Sequence, residues 1–288
     1  MVSALSDLPA RQVYQSPSSG LSISYRHQRP TAATITRPAL VFLHGFNGNS
    51  TSWAYQFAYF TDFPIIAIDA PGFGKTSVFD GGMAGFADEV IPMLAALQAQ
   101  PFFLVGHSMG GMLAQIIAAR SSAECSGLIL SCTHKGRGCP LHEPLSAEVK
   151  ERIKQRCAMT DEDYGKLRID RMLPGRLPTD IHHFLASIAG DIRIEGITWG
   201  GAAIQYLDTT PYLKQINTPI VIVTAADDVV VKPDAVDALI AGLPNAAHIE
   251  MKGVGHAPYC EDADSFNAIV AKFIRQHLPP NNLPHECP

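Results

Sequence analysis

One serine, one histidine and a pair of adjacent aspartates carry most of the chemical promise of this chain. The run Gly106-His107-Ser108-Met109-Gly110 sets a hydroxyl between glycines two residues to either side. A serine hydroxyl is a weak nucleophile, so it needs a base, and the base needs an acid to orient it. "MKGVGHAPYCED" offers His256 in a glycine-containing stretch, and "PIVIVTAADDVVVKP" offers Asp227 and Asp228 upstream of it. The order serine, acid, histidine is the one expected when the serine stands on a sharp strand-to-helix turn. Adjacent side chains leave a strand end in opposite directions, so one aspartate reaches the imidazole. Asp228 is the choice, with Asp227 left open. Eleven histidines make a downstream histidine uninformative in itself; position favours His256 over His248, at a strand start, and His285, in a tail.

These residues need elements that bring them together. "FFLV" (102–105) is a buried-looking strand that runs into the serine with almost no loop before a helix-favouring segment at 109–120. A serine on such a turn takes a strained backbone conformation, and its glycine neighbours make room for close packing. The N–H of Met109, at the helix start, is then placed to stabilise an oxyanion. A second donor follows the strand "ALVFL" (39–43), where Gly45 lets the backbone approach and the N–H of Phe46 is left free. His44 reads as a loop-holding residue rather than a base.

Further short runs, "IIAI" (65–68), "GLIL" (127–130), "IVIVTA" (220–225) and "AHIEM" (247–251), alternate with helical candidates at 51–60, 85–99, 233–242 and 263–277. Doubly buried strands alternating with helices predict an α/β doubly wound, mostly parallel sheet. The rhythm breaks at about 134–208, a segment of mixed charge with helical pieces such as "SAEVKERIKQRCAM". That length is too great for loops alone, so it reads as a helical lid between core segments 1–133 and 209–288.

The bulk composition sets limits. With 288 residues, 47% hydrophobic and 17% charged, the chain can bury a large core. A net charge of −5 gives no basic surplus for nucleic acid or an anionic membrane. The six cysteines are scattered without zinc-ligand spacing, which reads as reduced thiols and a cytoplasmic enzyme. No leader-like or membrane-length apolar run is expected. Adjacent His182 and His183 in "IHHFL" diverge on a helix and make no metal pair.

Taken together, "LHGFNGNSTSW" (43–53), "DAPGFGKTS" (69–77), "GHSMGGMLAQ" (106–115), "PIVIVTAADDVVV" (219–231) and "GVGHAPYCED" (253–262) resemble the α/β-hydrolase superfamily. The resemblance implies the α/β-hydrolase fold with a helical lid. It also implies Ser108 as nucleophile, His256 as base, and Phe46 and Met109 as oxyanion-hole amides. It lands the acid on Asp228, although Ala225 stands where the family usually has glycine, which keeps Asp227 open. It further implies a small-molecule ester or lactone substrate and no metal or organic cofactor. The sequence is most similar to lidded esterases and lactonases, including enol-lactone hydrolases. The meta-cleavage C–C bond hydrolases are a neighbour, but His107, Ala257 and Ser52 stand where they usually have asparagine, tryptophan and asparagine. A ligand receptor with a slow triad is the alternative from another class. Trp53 and Trp199 are expected to help line an apolar substrate site, and Cys132 to be a buried inert thiol.

Overall fold

The computed structural model describes residues 8–30, 37–175 and 177–278; His285 and Cys287 lie outside them. The chain enters through β1 (Arg11–Gln15) and β2 (Ser22–Gln28), two strands that the apolar-run pattern misses. Both carry polar residues because β1 is the sheet edge and β2 its antiparallel neighbour. After β3 (Ala39–Leu43), a 3-10 turn (Ser50–Trp53) leads into α1 (Ala54–Tyr59). Then come β4 (Ile65–Ile68), α2 (Gly82–Ala96), β5 (Phe102–His107), α3 (Met109–Arg120) and β6 (Cys125–Ser131).

Between β6 and the next strand lie α4 (Ala147–Ala158), α5 (Asp161–Met172), α6 (Thr179–Gly190), α7 (Ile194–Tyr206) and the short α8 (Thr210–Leu213). Ser146 and Thr160 start α4 and α5 by accepting the backbone N–H of Val149 and Asp163, which satisfies donors that a helix start leaves orphaned. The chain ends with β7 (Ile220–Ala225), α9 (Pro233–Gly242), β8 (Ala247–Met251), α10 (Pro258–Glu261) and α11 (Ala263–His277). Helix α2 runs 82–96 where the sequence pattern points to 85–99.

The sheet order is β1-β2-β4-β3-β5-β6-β7-β8. The pairs from β4 through β8 are parallel, and β2 meets β4 antiparallel. The two-residue period of a strand divides its side chains between two cores. Val41, Leu43 and Leu104 join Phe86 and Leu113 on one face. Leu40, Phe42 and Phe103 join Trp53, Phe57 and Phe266 on the other. The parallel arrangement aligns the carboxyl ends of β3, β5, β6, β7 and β8 along one rim of the sheet.

At that rim β5 and α3 meet with no loop. Ser108 has φ 52° and ψ −118°, in the left-handed region that a side chain rarely occupies. A Cβ on Gly106 would lie 2.6 Å from the carbonyl oxygen of Gly110, and one on Gly110 would lie 2.1 Å from the carbonyl oxygen of Leu43. These are backbone atoms that cannot swing aside. Gly110→Ala must therefore push α3 away from β3, costing about 2 kcal/mol or more. Gly85→Ala is the contrasting case, since its Cβ meets only the Phe79 ring at 3.4 Å within α2. It should stabilise by about 0.5–1 kcal/mol through reduced chain entropy. Thermal melts of the two variants should move Tm in opposite directions.

Candidate active site

Ser108 is held on its turn from the β6 side and by its own helix. Its N–H donates to the carbonyl of Ser131 at the end of β6, at 2.9 Å. Its own carbonyl accepts the Thr133 hydroxyl at 2.6 Å and the Gly111 N–H at 2.9 Å. These bonds fix a strained residue with its side chain free for other work.

The Ser108 Oγ lies 3.0 Å from His256 Nε2, although 148 residues separate them in sequence. His256 Nδ1 lies 2.9 Å from Asp228 Oδ2. The other carboxylate oxygen, Oδ1, accepts the N–H groups of Val230 and Val231 at 2.8 and 3.1 Å. Burial by itself would raise the Asp228 carboxyl. The hydrogen bond and charge of His256, with those two amides, hold it below the usual carboxylate range. Asp228, rather than the exposed Asp227, is thus the carboxylate that meets His256. The two side chains come from the loops after β7 and β8, which run side by side in parallel register.

A residue the sequence does not advertise positions the histidine. Glu261, in the short α10, accepts the N–H of Gly255 through Oε2 and that of Ala257 through Oε1, both at 2.9 Å. It therefore clamps the backbone on either side of His256. The spacing of six and four residues back to its partners gives no periodic signal.

The loop after β3 closes the other side. A Cβ on Gly45 would lie 2.8 Å from the His107 ring and 3.2 Å from Ser108 Cβ, so only glycine lets this loop come so near. His44 Nδ1 donates to the Gly45 carbonyl at 2.8 Å, and Nε2 accepts the Ala70 N–H at 3.0 Å. That pattern is a neutral imidazole, in accord with burial pulling its pKa down. His44 is a loop brace, as its position suggests. The backbone N–H groups of Phe46 and Met109 donate to no other described residue.

A cavity of about 460 Å³ opens above Ser108 and His256. Its walls come from the β3 loop and from α4, α5 and α7, with Phe46, Val149, Ile169 and Met172 among the apolar lining. The sequence-based assignment of Trp53 and Trp199 to the substrate site needs correction, because neither lines this cavity. Trp53 is 0% exposed and lies in the core between the rings of Phe42 and Tyr259. Trp199 packs on Phe86 of α2. Its neighbour Gly200 turns toward Phe46 and Met109 instead, since successive helical residues diverge by about 100°.

Sequence reasoning also missed the charged lining. Arg137, Arg152 and Arg168 reach the cavity, and so does His134. The signal for Arg168 lay in α5, where Tyr164, Arg168 and Met172 form one buried stripe at four-residue spacing. A charge on an apolar stripe marks a polar task.

Cys132, Asp228 and His256 bring ligand-type atoms within 4.8 Å of one another. Both ring nitrogens of His256 are already engaged by Ser108 and Asp228. Burial, then the Asp228 charge, pushes the Cys132 thiol well above its ordinary range, so it stays protonated. The donor set suits a hydrogen-bonded relay better than a metal.

The alpha/beta hydrolase family profile matches residues 40–269. The chain is 28% identical over 260 residues to a putative carbamate hydrolase RutD of Rhizobium rhizogenes, covering 86% of this chain and 94% of the relative. It is 26% identical over 263 residues to a 2-hydroxy-6-oxononadienedioate/2-hydroxy-6-oxononatrienedioate hydrolase of Cupriavidus pinatubonensis, covering 82% and 86%. The enol-lactonase of Burkholderia xenovorans shares the fold, with TM-score 0.77, 19% identity and coverage of 92% and 100%. With the matched profile spanning the rim loops as well as the sheet, the chain belongs to the alpha/beta hydrolase family.

Proposed function

We propose that the protein is a serine hydrolase that cleaves a carboxylic ester or lactone of a small molecule. The observation that carries this reading is the continuous hydrogen-bonded line from Ser108 Oγ through His256 to Asp228, at 3.0 and 2.9 Å, on the floor of a cavity. Substrate enters beneath the helices of segment 134–208, which act as a lid between the two parts of the core. His256 takes the hydroxyl proton as Ser108 Oγ bonds to the carbonyl carbon. The tetrahedral oxyanion sits between the N–H groups of Phe46 and Met109. As the carbonyl re-forms, the bond to the leaving oxygen breaks and His256 returns the proton to it. Water, deprotonated by the same imidazole, then releases the acid and restores Ser108. Asp228 holds the imidazole in one tautomer and stabilises its cation.

No step of this cycle calls for a metal or an organic cofactor. The described cysteines are unpaired thiols, which supports a cytoplasmic setting. No helix among the described residues is long and apolar enough to cross a membrane. Cleavage of a carbamate or a C–C bond would use the same nucleophile and base. His107, Ala257 and Ser52 weigh against the C–C reading, and Ser52 is already spent bracing the Asn49 N–H.

Steady-state hydrolysis of p-nitrophenyl acetate tests the proposal. Wild type should turn over many times. Ser108→Ala should lose about 10⁴-fold or more in kcat with an unchanged Tm. A single slow turnover with retained product would instead identify a receptor, and equal rates in both proteins would remove Ser108 from the chemistry.

Asp228→Asn should lower kcat by about 10⁴-fold at neutral pH, because the imidazole loses its orienting charge. Its stability profile carries a separate signature. The folded Asp228 carboxyl titrates below its unfolded value near 3.9, so the unfolded chain binds more protons between the two. Stability from this group is complete above pH ~5 and fades as pH falls through the folded value. Chemical denaturation from pH 6 to pH 2 should therefore show a shallower acid decline in Asp228→Asn than in wild type.

A further inference from the structure

Arg168 is the least expected residue in the cavity. It is 5% exposed, yet its guanidinium has no hydrogen-bond or ion-pair partner among the described residues, and Nε is fully buried without an acceptor. Burial, and the neighbouring Arg152 charge, draw it down to about 10, which still leaves it charged at neutral pH. A buried unpaired cation is unfavourable. Tyr164 and Glu148 offset this in part through space, but neither is a hydrogen-bond or ion-pair partner of Arg168. Arg152 is committed to Glu148 at 3.1 Å and stacks over the Phe46 ring at 4.6 Å. Glu148 is shared with Arg137 at 3.7 Å, so this carboxylate already serves two guanidiniums. Arg171, also lining the cavity, adds a further like charge beside Arg168.

The lining as a whole repeats this imbalance. Five arginine or lysine side chains face two carboxylates, Glu148 and Glu151, in a cavity of about 460 Å³ that also contains Ser108. The lining also carries apolar groups, including Met112, Val149 and Ile169. The cavity therefore combines a reactive hydroxyl, apolar lining and an excess of anion-seeking cations. A guanidinium offers parallel N–H donors that match a carboxylate, and burial strengthens such a bond.

We propose that Arg168, supported by Arg152, forms a subsite for a free carboxylate, so that the natural substrate is an anionic ester or lactone. The proposal rests on the serine hydrolase reading of Ser108 and adds the substrate's charge to it. The helices that carry the two arginines, α5 and α4, then serve as the selective wall of the pocket as well as its cover.

Two matched pairs of esters test this. Mono-p-nitrophenyl glutarate is compared with p-nitrophenyl butyrate, which places the charge on the acyl side. Para-acetoxybenzoate is compared with phenyl acetate, which places it on the leaving group. In wild type, kcat/KM should favour the anionic member of one pair by about tenfold or more, chiefly through KM. Arg168→Met should bring that ratio to about one, and Arg168→Lys should keep part of it. Arg168→Met should also melt no lower than wild type, because an apolar side chain replaces an unpaired buried charge; if it does not fold, Arg168→Lys carries the comparison. Equal kcat/KM within both pairs, or a preference that survives Arg168→Met, overturns the subsite and leaves the Ser108 chemistry standing. Calorimetry with Ser108→Ala separates the two ideas. If no ester is turned over by wild type, tighter binding of an anionic ester than of its neutral twin, lost in Ser108→Ala/Arg168→Met, keeps the subsite and rejects ester hydrolysis. Equal binding of both twins rejects the subsite as well.

Discussion

Everything at the rim of the sheet depends on one tight junction, the meeting of β5 and α3 at Ser108. The strand cannot pass into the helix there without a residue in left-handed backbone geometry, and Ser108 takes it at φ 52°. Such a residue is strained by about 1–3 kcal/mol, so its surroundings must determine it fully. They do so by proximity. Gly110 lies so near Leu43 that α3 is seated against the end of β3, and Gly106 lies so near Gly110 that the turn cannot open. Ser131 and Thr133 hold it from the β6 side. The same contacts fix where the loop after β3 runs, and hence where the Phe46 amide stands. A constraint of backbone packing thus sets the position of a hydroxyl group.

The second partner in the arrangement is supplied by topology rather than by local sequence. Parallel strands deliver β7 and β8 to the same rim as β5, and their loops bring Asp228 and His256 to a serine far upstream. The electrostatic setting then distinguishes one imidazole from the others. His107 and His134 line the same cavity, and burial lowers the pKa of both. Among the described residues neither has a carboxylate hydrogen-bond partner, whereas His256 has Asp228 at 2.9 Å. The proposed proton transfer needs a histidine whose cation is stabilised, and of these three cavity histidines His256 has that partner. Glu261 adds the mechanical part by gripping the backbone on both sides of the ring.

The legibility of the sequence follows from the same physics. Strands buried on both faces must be apolar throughout, so β3, β4 and β7 could be read to the residue. β1 and β2 could not, because the edge strand and its antiparallel neighbour carry the polar runs RQVYQ and SISYRHQ. The elbow was readable since steric exclusion leaves glycine as the sole choice at Gly106 and Gly110. The pocket wall was not. Trp53 and Trp199 have the composition of a binding site but the surroundings of a core, and composition does not say which way a ring points. Overall lid charge was equally mute, as acids and bases nearly cancel there. The informative quantity was positional: which charges fall on the buried stripe of a helix, as Arg168 does between Tyr164 and Met172.

That distinction between total and local charge also resolves an apparent conflict. A chain of net charge −5 should repel an anion at long range. At physiological salt, however, exposed charges are screened beyond about 8 Å, while groups inside a low-dielectric cavity are screened far less. An approaching carboxylate therefore meets weak, averaged repulsion outside and strong, directed attraction once beneath α4 and α5. The acidic exterior and the cationic interior act over different distances. On the proposed reading, the helices of segment 134–208 impose charge selectivity through Arg152 and Arg168, which line the cavity, while Ser108, His256 and Asp228 stay on the loops at the sheet rim.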